Sequence, residues 1–165
     1  MLGERCPVSS TTTRATLFNI SMVHTREHLM RAVYEGIGYN LRWILENYSR
    51  DYGFSCDNFR IIGGGALDDT WMHIIADITG KCFSVVKDPR NAGAVGAAVV
   101  ALIGLGELPG FSAAKDFVQV ERCYEPDPKN RRVYDHLFEN YKRVYNSLKD
   151  TYIKANGQRF KGEEE

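Results

Sequence analysis

Three consecutive glycines, Gly63-Gly64-Gly65, stand between a β-prone run and a helix-prone one, and no other feature restricts this chain as tightly. Glycine tolerates positive φ and lets a backbone approach another group with no side chain between them. Between a strand and a helix, such a run makes a tight turn whose helix presents N–H groups to a ligand. The sequence around it alternates. Asn58 to Ile62 reads as a strand, and Asp68 to Thr79 as a helix with Asp68 as N-cap and Gly80 as C-cap. Lys81 to Val86 reads as a second strand, followed by a turn around Pro89 and a helix from Ala92 to Leu105. This β-α-β-α order implies an α/β fold with a parallel, helix-covered sheet.

The flanks carry longer helices. The first fourteen residues read as a loop, and Ala15 to Ile20 as a short strand. Thr25 is a candidate N-cap. Beyond it Leu29, Val33, Ile37, Leu41, Ile44 and Tyr48 mark one face of a helix that Gly53 stops. Gly36 and Gly38 weaken that helix, each by up to about 1 kcal/mol relative to alanine, and imply close approach by another backbone. After an extended Val118 to Tyr124, a last helix opens near Pro128 with a stripe of Val133, Leu137, Tyr141, Val144, Leu148 and Tyr152. Residues 158–165 form a polar tail.

Charge and cysteines exclude several classes. The 21 basic and 21 acidic side chains cancel, which argues against nucleic acid as the partner. Cys6, Cys56, Cys82 and Cys123 are far apart in sequence and form no CxxC pair or zinc spacing, so free thiols in a reducing compartment are expected. The start of the chain lacks the apolar core of a signal peptide. The apolar run from Ala92 to Leu105 is too short to cross a bilayer. These observations imply a soluble, cytoplasmic domain with no membrane partner.

The glycine turn is not a Walker loop, because no Gly-Lys-Ser/Thr follows, and Asp68 stands where a dinucleotide fingerprint needs its third glycine. Asp68 and Asp69 would repel a phosphate set squarely on the helix N-terminus. The turn is therefore expected to meet an adenosine, or a phosphate's edge; a plain tight turn is the competing reading. Gly93, Gly96, Ala97 and Ala101 give the next helix a flat stripe, suited to close helix packing or to a base. His24 and His28 lie four apart but have no third ligand, so surface or capping roles are expected and no metal site. His73 and His136 read as solvent-facing or core-edge residues of amphipathic helices, Asp51 as part of a helix stop, and the tyrosines of the last helix as packing.

Taken in order, the motifs resemble the C-terminal domain of the FGGY family of carbohydrate kinases, with a xylulokinase-like character. Gly3-Glu4-Arg5-Cys6-Pro7 is similar to the family's Gly-Glu-Arg-x-Pro loop. Ala15 to Ile20 and then His28 to Glu35 follow its second signature, with Asn19 in place of a usual glycine. Phe59 to Ala66 with Trp71 and Ala76-Asp77 looks like its adenosine turn and helix. Asp88-Pro89, Ala94 to Ala98 and Gly104 resemble the next segment, and Tyr124 to Pro128 with Tyr134 the family's tail.

The resemblance implies an actin-like ATPase fold built on RNase H-type α/β domains, with a domain over residues 3–157. It implies ATP and Mg²⁺ as cofactors and transfer of the γ-phosphoryl group to a sugar or polyol hydroxyl, xylulose being the expected substrate. By the same resemblance Gly64, Gly65 and Ala66 meet the adenosine and phosphates. Asp69 stands where the family often contacts adenine with an amide. The catalytic Asp and the sugar contacts belong to an N-terminal domain with no counterpart here, so the chain reads as a fragment, inactive alone. The RNase H-type sheet has five strands, and three are legible in this sequence. An unpaired edge at Ala15 to Ile20 would then favour self-association. The alternatives are a stand-alone nucleotide-binding or interaction module without kinase activity, and a Rossmann-type enzyme, which the missing third glycine disfavours.

Overall fold

The computed structural model describes residues 6–157; Gly3, Glu4 and Arg5 of the first motif and the tail from 158 to 165 lie outside them. In chain order the elements are α1 (Arg26–Tyr52), β1 (Asn58–Ile61), α2 (Asp69–Thr79), β2 (Cys82–Val86) and α3 (Ala92–Gly104). Then come α4 (Ala114–Phe117), β3 (Val120–Tyr124) and α5 (Arg131–Asn156). They divide into two compact units. Cys56–Pro128 forms one, and the chain on either side of it forms the other.

The Cys56–Pro128 unit is a three-stranded sheet of order β1-β2-β3. Parallel pairing sets Asn58 opposite Cys82 and Ile61 opposite Val85. The sheet is mixed rather than wholly parallel, because β3 runs antiparallel to β2, with Phe83 opposite Tyr124. The reversal follows from where the chain returns: the Lys87 N–H donates to the Gln119 carbonyl at 2.8 Å, so β3 starts beside the end of β2 and runs back along it. Central β2 is buried from Phe83 to Val86, and Met72, Ile74, Ile75, Ala76 and Ile78 of α2 are buried with it. An element with no wet face reads as a continuous apolar run rather than an alternation. Gly93 and Gly96 face open space, and of α3 only Val99 is buried.

In the other unit the strand expected over Ala15 to Ile20 does not form. A strand needs a ladder partner, and among the described residues none lies beside it. Asn19 adopts φ 62, the left-handed conformation that asparagine tolerates best after glycine, so it serves where the family pattern has glycine. His28 and His24 act at the start of α1. The His28 Nδ1 accepts from the Thr25 N–H at 3.1 Å, and the His24 Nδ1 from the Ser21 N–H at 2.9 Å. His28 thus takes the place of the glutamate in a capping box.

The expected stripes are only partly covered, with Leu29, Leu41, Ile44, Tyr141, Val144, Leu148 and Tyr152 half-buried. Val33, Ile37 and Tyr48 of α1 and Val133 and Leu137 of α5 are exposed. The buried residues are Gly38, Tyr39 and Arg42 on α1 and Tyr134 and Phe138 on α5. Gly36 faces open space, so the close backbone approach expected there is absent. Tyr39 packs against Tyr134, Phe138 and Tyr141, and Trp43 stands edge-on to Tyr141 and Tyr145. Arg42 and Lys142 both lie over the Phe138 ring, at 4.4 and 4.5 Å from its centre. The buried Arg42 guanidinium pairs with Asp135 at 2.7 Å and with Glu46 at 3.0 Å.

Burial raises the Asp135 pKa, but hydrogen bonding from Arg42 and the charge of Arg131 outweigh it and hold the carboxyl below its usual value. A depressed carboxyl contributes stability that is present above its unfolded-state pKa of about 4 and lost as pH falls through the lower folded value. Asp135→Asn is expected to lower stability at neutral pH by about 1–3 kcal/mol, since it leaves a buried charge short of a partner. Urea unfolding should show the difference shrinking below pH 4.

Candidate functional site

Beyond β1 the chain enters a single 3-10 turn, Gly64–Leu67, before α2 begins. Gly63 takes φ 100, which a side chain would strain, and its N–H donates to the Pro89 carbonyl at 2.7 Å. Pro89 is buried, and it follows Asp88, which holds φ 53 and accepts from the Asn91 side chain at 2.8 Å. The glycine turn and the Asp88-Pro89 turn are thereby fastened together at the carboxyl ends of two parallel strands. Ligands of open α/β sheets sit beyond those ends.

The glycines have different environments. A Cβ on Gly64 would meet nothing within 4 Å, whereas one on Gly65 would lie 2.0 Å from Cζ3 of Trp71. Gly65 is therefore glycine because the indole occupies the side-chain space. Ala66 is 1% exposed and its methyl belongs to the core. Of the expected contacts, Gly64 and Asp69 face solvent, Gly65 is half-buried and Ala66 is buried.

The two carboxylates opening α2 are both engaged. Asp68 is the N-cap, its Oδ1 accepting from the Trp71 N–H at 3.0 Å, and Gly80 closes the helix at φ 67. Asp69 Oδ1 accepts from the Tyr124 hydroxyl and from Arg122 Nη1, the latter at 2.6 Å. The Tyr124 hydrogen bond, then the Arg122 and His73 charges, hold the Asp69 carboxyl below the usual range. Burial pushes the Tyr124 hydroxyl up, and the His73 imidazole stands edge-on to its ring at 5.0 Å. Asp77 accepts from the Asp127 N–H at 2.7 Å, tying the end of β3 to α2. The sequence carried no signal for Arg122 and Tyr124 as partners of Asp69, because the residues are more than fifty apart.

The family model described as "FGGY family of carbohydrate kinases, C-terminal domain" matches residues 1–105, well over half the chain. The chain belongs to the FGGY family of carbohydrate kinases. A curated xylulose kinase of Bacillus subtilis is 34% identical over 152 residues, covering 91% of this chain and 30% of that protein. The ligand-bound xylulose kinase structure from Lactobacillus acidophilus superposes with a TM-score of 0.82 at 26% identity, over 94% of this chain and 31% of that one. The gluconate kinase structure from the same organism gives 0.81 at 26% identity, with the same coverage. The fold is accordingly the α/β, actin-like C-terminal fold of these kinases, and the chain spans about 30% of the length of the curated relatives it matches.

The packing of Gly65 against Trp71 predicts strong coupling between the two positions. Gly65→Ala is expected to destabilise the chain by more than about 2 kcal/mol, and by much less in a Trp71→Ala background that vacates the space. A double-mutant cycle in urea checks this.

Proposed function

We propose that this chain is the nucleotide-binding part of an ATP-dependent sugar kinase, acting in the cytoplasm on a sugar or polyol hydroxyl, with xylulose the leading candidate. The observation that carries the reading is the solvent-open Gly64, set at the carboxyl end of β1 and fastened through Gly63 to the end of β2. Gly64, the backbone of Gly65 and Ala66, and Asp69 are the groups this reading assigns to ATP or ADP. Asp69, paired with Arg122, offers an acceptor for an adenine amino group rather than a bare charge against phosphate. Xylulose is supported by the names of the relatives.

ATP brings the transferable phosphoryl group, and the open backbone at Gly64 suits close approach by it. Magnesium has no comparable fit: among the described residues no group of three or more His, Cys, Asp or Glu side chains converges on one point. The ion belongs in this proposal with the nucleotide's phosphates. In this reading the general base and the sugar contacts lie in the part of a kinase that this chain, about 30% of its relatives' length, does not span. General-base catalysis alone is worth about 10²–10⁴-fold, so the isolated chain is expected to show no sugar phosphorylation. No helix among the described residues is long and apolar enough to cross a membrane.

Calorimetry with ADP should give a Kd of roughly 1 mM, since half of a cleft would be missing. Gly64→Val should weaken binding about tenfold or more, with the urea midpoint unchanged because its side chain enters open space. Unchanged affinity in that variant removes the assignment of the turn. Self-association belongs to the same reading, through the exposed Leu17, Phe18, Ile20, Met22 and Val23 rather than a strand edge. Light scattering should show assembly that grows with concentration and is lost in the Phe18→Ser, Met22→Ser double variant; a monomeric wild type rejects it.

A further inference from the structure

Cys82 and Cys123, 41 residues apart in sequence, meet across β2 and β3 with their Sγ atoms 3.0 Å apart, both thiols free. The strand pairing makes this contact. Cys123 lies opposite Ser84, and Cys82, two residues before Ser84, projects from the same face of the sheet. The gap exceeds a disulfide bond by about 1 Å, within the reach of a small side-chain adjustment. Cys123 is exposed and Cys82 half-buried, so a small solute reaches the pair directly. Neither thiol belongs to the nucleotide-facing turn: Arg122 and Tyr124, which hold Asp69, project from the other face of β3.

We propose that Cys82 and Cys123 are a peroxide-responsive dithiol that closes reversibly to a disulfide across β2 and β3. The roles of the two thiols differ. The hydrogen bond between the two sulfurs favours the Cys123 thiolate and holds that pKa down, while the same bond pushes Cys82 up to about 11. Cys123 is the attacking sulfur, since the thiolate is the nucleophile. Its electron pair forms an S–O bond with a hydroperoxide as the O–O bond breaks, giving a sulfenic acid and an alkoxide or hydroxide that takes up the proton Cys123 released on ionising. Cys82 then attacks the Cys123 sulfur, the S–O bond breaks, and the departing hydroxide leaves as water with the Cys82 proton. Two thiols and one hydrogen peroxide thus become one disulfide and two waters. The sulfurs are oxidised and the peroxide oxygens reduced. A dithiol reductant reverses the step by exchange. Because the bond spans β2 and the strand that carries Arg122 and Tyr124, oxidation fastens the strand that holds Asp69.

The test is treatment of the full chain with hydrogen peroxide, alkylation with iodoacetamide under denaturing conditions, and peptide mapping. The expected product has lost two hydrogen atoms in mass, joins the Cys82 and Cys123 peptides, and has lost both thiols from alkylation, while Cys6 and Cys56 remain alkylated. A dithiol reductant restores all four thiols. In Cys82→Ser, and in Cys82→Ala as a second variant, Cys123 should accumulate as a sulfenic acid trapped by dimedone. Continued alkylation of both Cys82 and Cys123 after treatment overturns the proposal. So does a disulfide formed chiefly between chains or through Cys6 or Cys56.

Discussion

Strand β2 is the constraint on which the Cys56–Pro128 unit depends. It is the only one of the three strands paired on both edges, and from Phe83 to Val86 it has no exposed residue. A buried strand must satisfy every backbone N–H and C=O through its neighbours, because water cannot reach them. β1 supplies one ladder and β3 the other, and the ends are closed as well. The Cys82 N–H donates to the Asp57 carbonyl and the Lys87 N–H to the Gln119 carbonyl, both at 2.8 Å. Helix α2 then has a fixed surface to cover, which fixes where its N-terminus, and with it the glycine turn, is presented.

That placement resolves an electrostatic conflict at the start of α2. Two adjacent carboxylates repel one another if both are bare. Asp68 spends its charge on the Trp71 N–H, where a helix N-terminus favours an anion. Asp69 is paired with Arg122 and accepts from Tyr124. Both acids are thereby matched by donors within the unit, and the backbone of Gly64 stands open to solvent beside them. The tyrosine and the arginine come from an antiparallel strand, so the mixed character of the sheet is what holds Asp69.

The second unit solves a different problem. Its two long helices meet through aromatic rings and a buried guanidinium rather than through an aliphatic seam. Phe138 is 0% exposed, with cations over its ring. Arg42 completes the arrangement by satisfying its charge with Asp135 and Glu46. Burying an arginine is favourable only where its donors are matched, which explains why carboxylates accompany it on both helices. Arg31, Glu35 and Tyr134 make a second, more exposed contact between the same helices, with Arg31 Nη2 donating to the Tyr134 hydroxyl at 2.7 Å.

By itself the sequence determined the local elements of the Cys56–Pro128 unit, the caps at Asp68 and Gly80, and the succession of motifs that marks the family. These depend on neighbours within a few residues, such as a side chain that caps its own helix or a glycine that ends one, and such signals survive without tertiary context. Tertiary structure alone decided which apolar stripe is buried, as at Val33 and Ile37, which are exposed although their spacing is helical. Periodicity identifies a face but not the surface that covers it. The same limit applies to Ala15 to Ile20, whose composition suits a strand but which has no partner among the described residues. It also applies to Gly65, where the reason for glycine is an indole six residues away. Asp69 with Arg122 and Tyr124, and Cys82 with Cys123, were illegible for one physical reason: strand pairing brings together residues whose separation along the chain carries no signal.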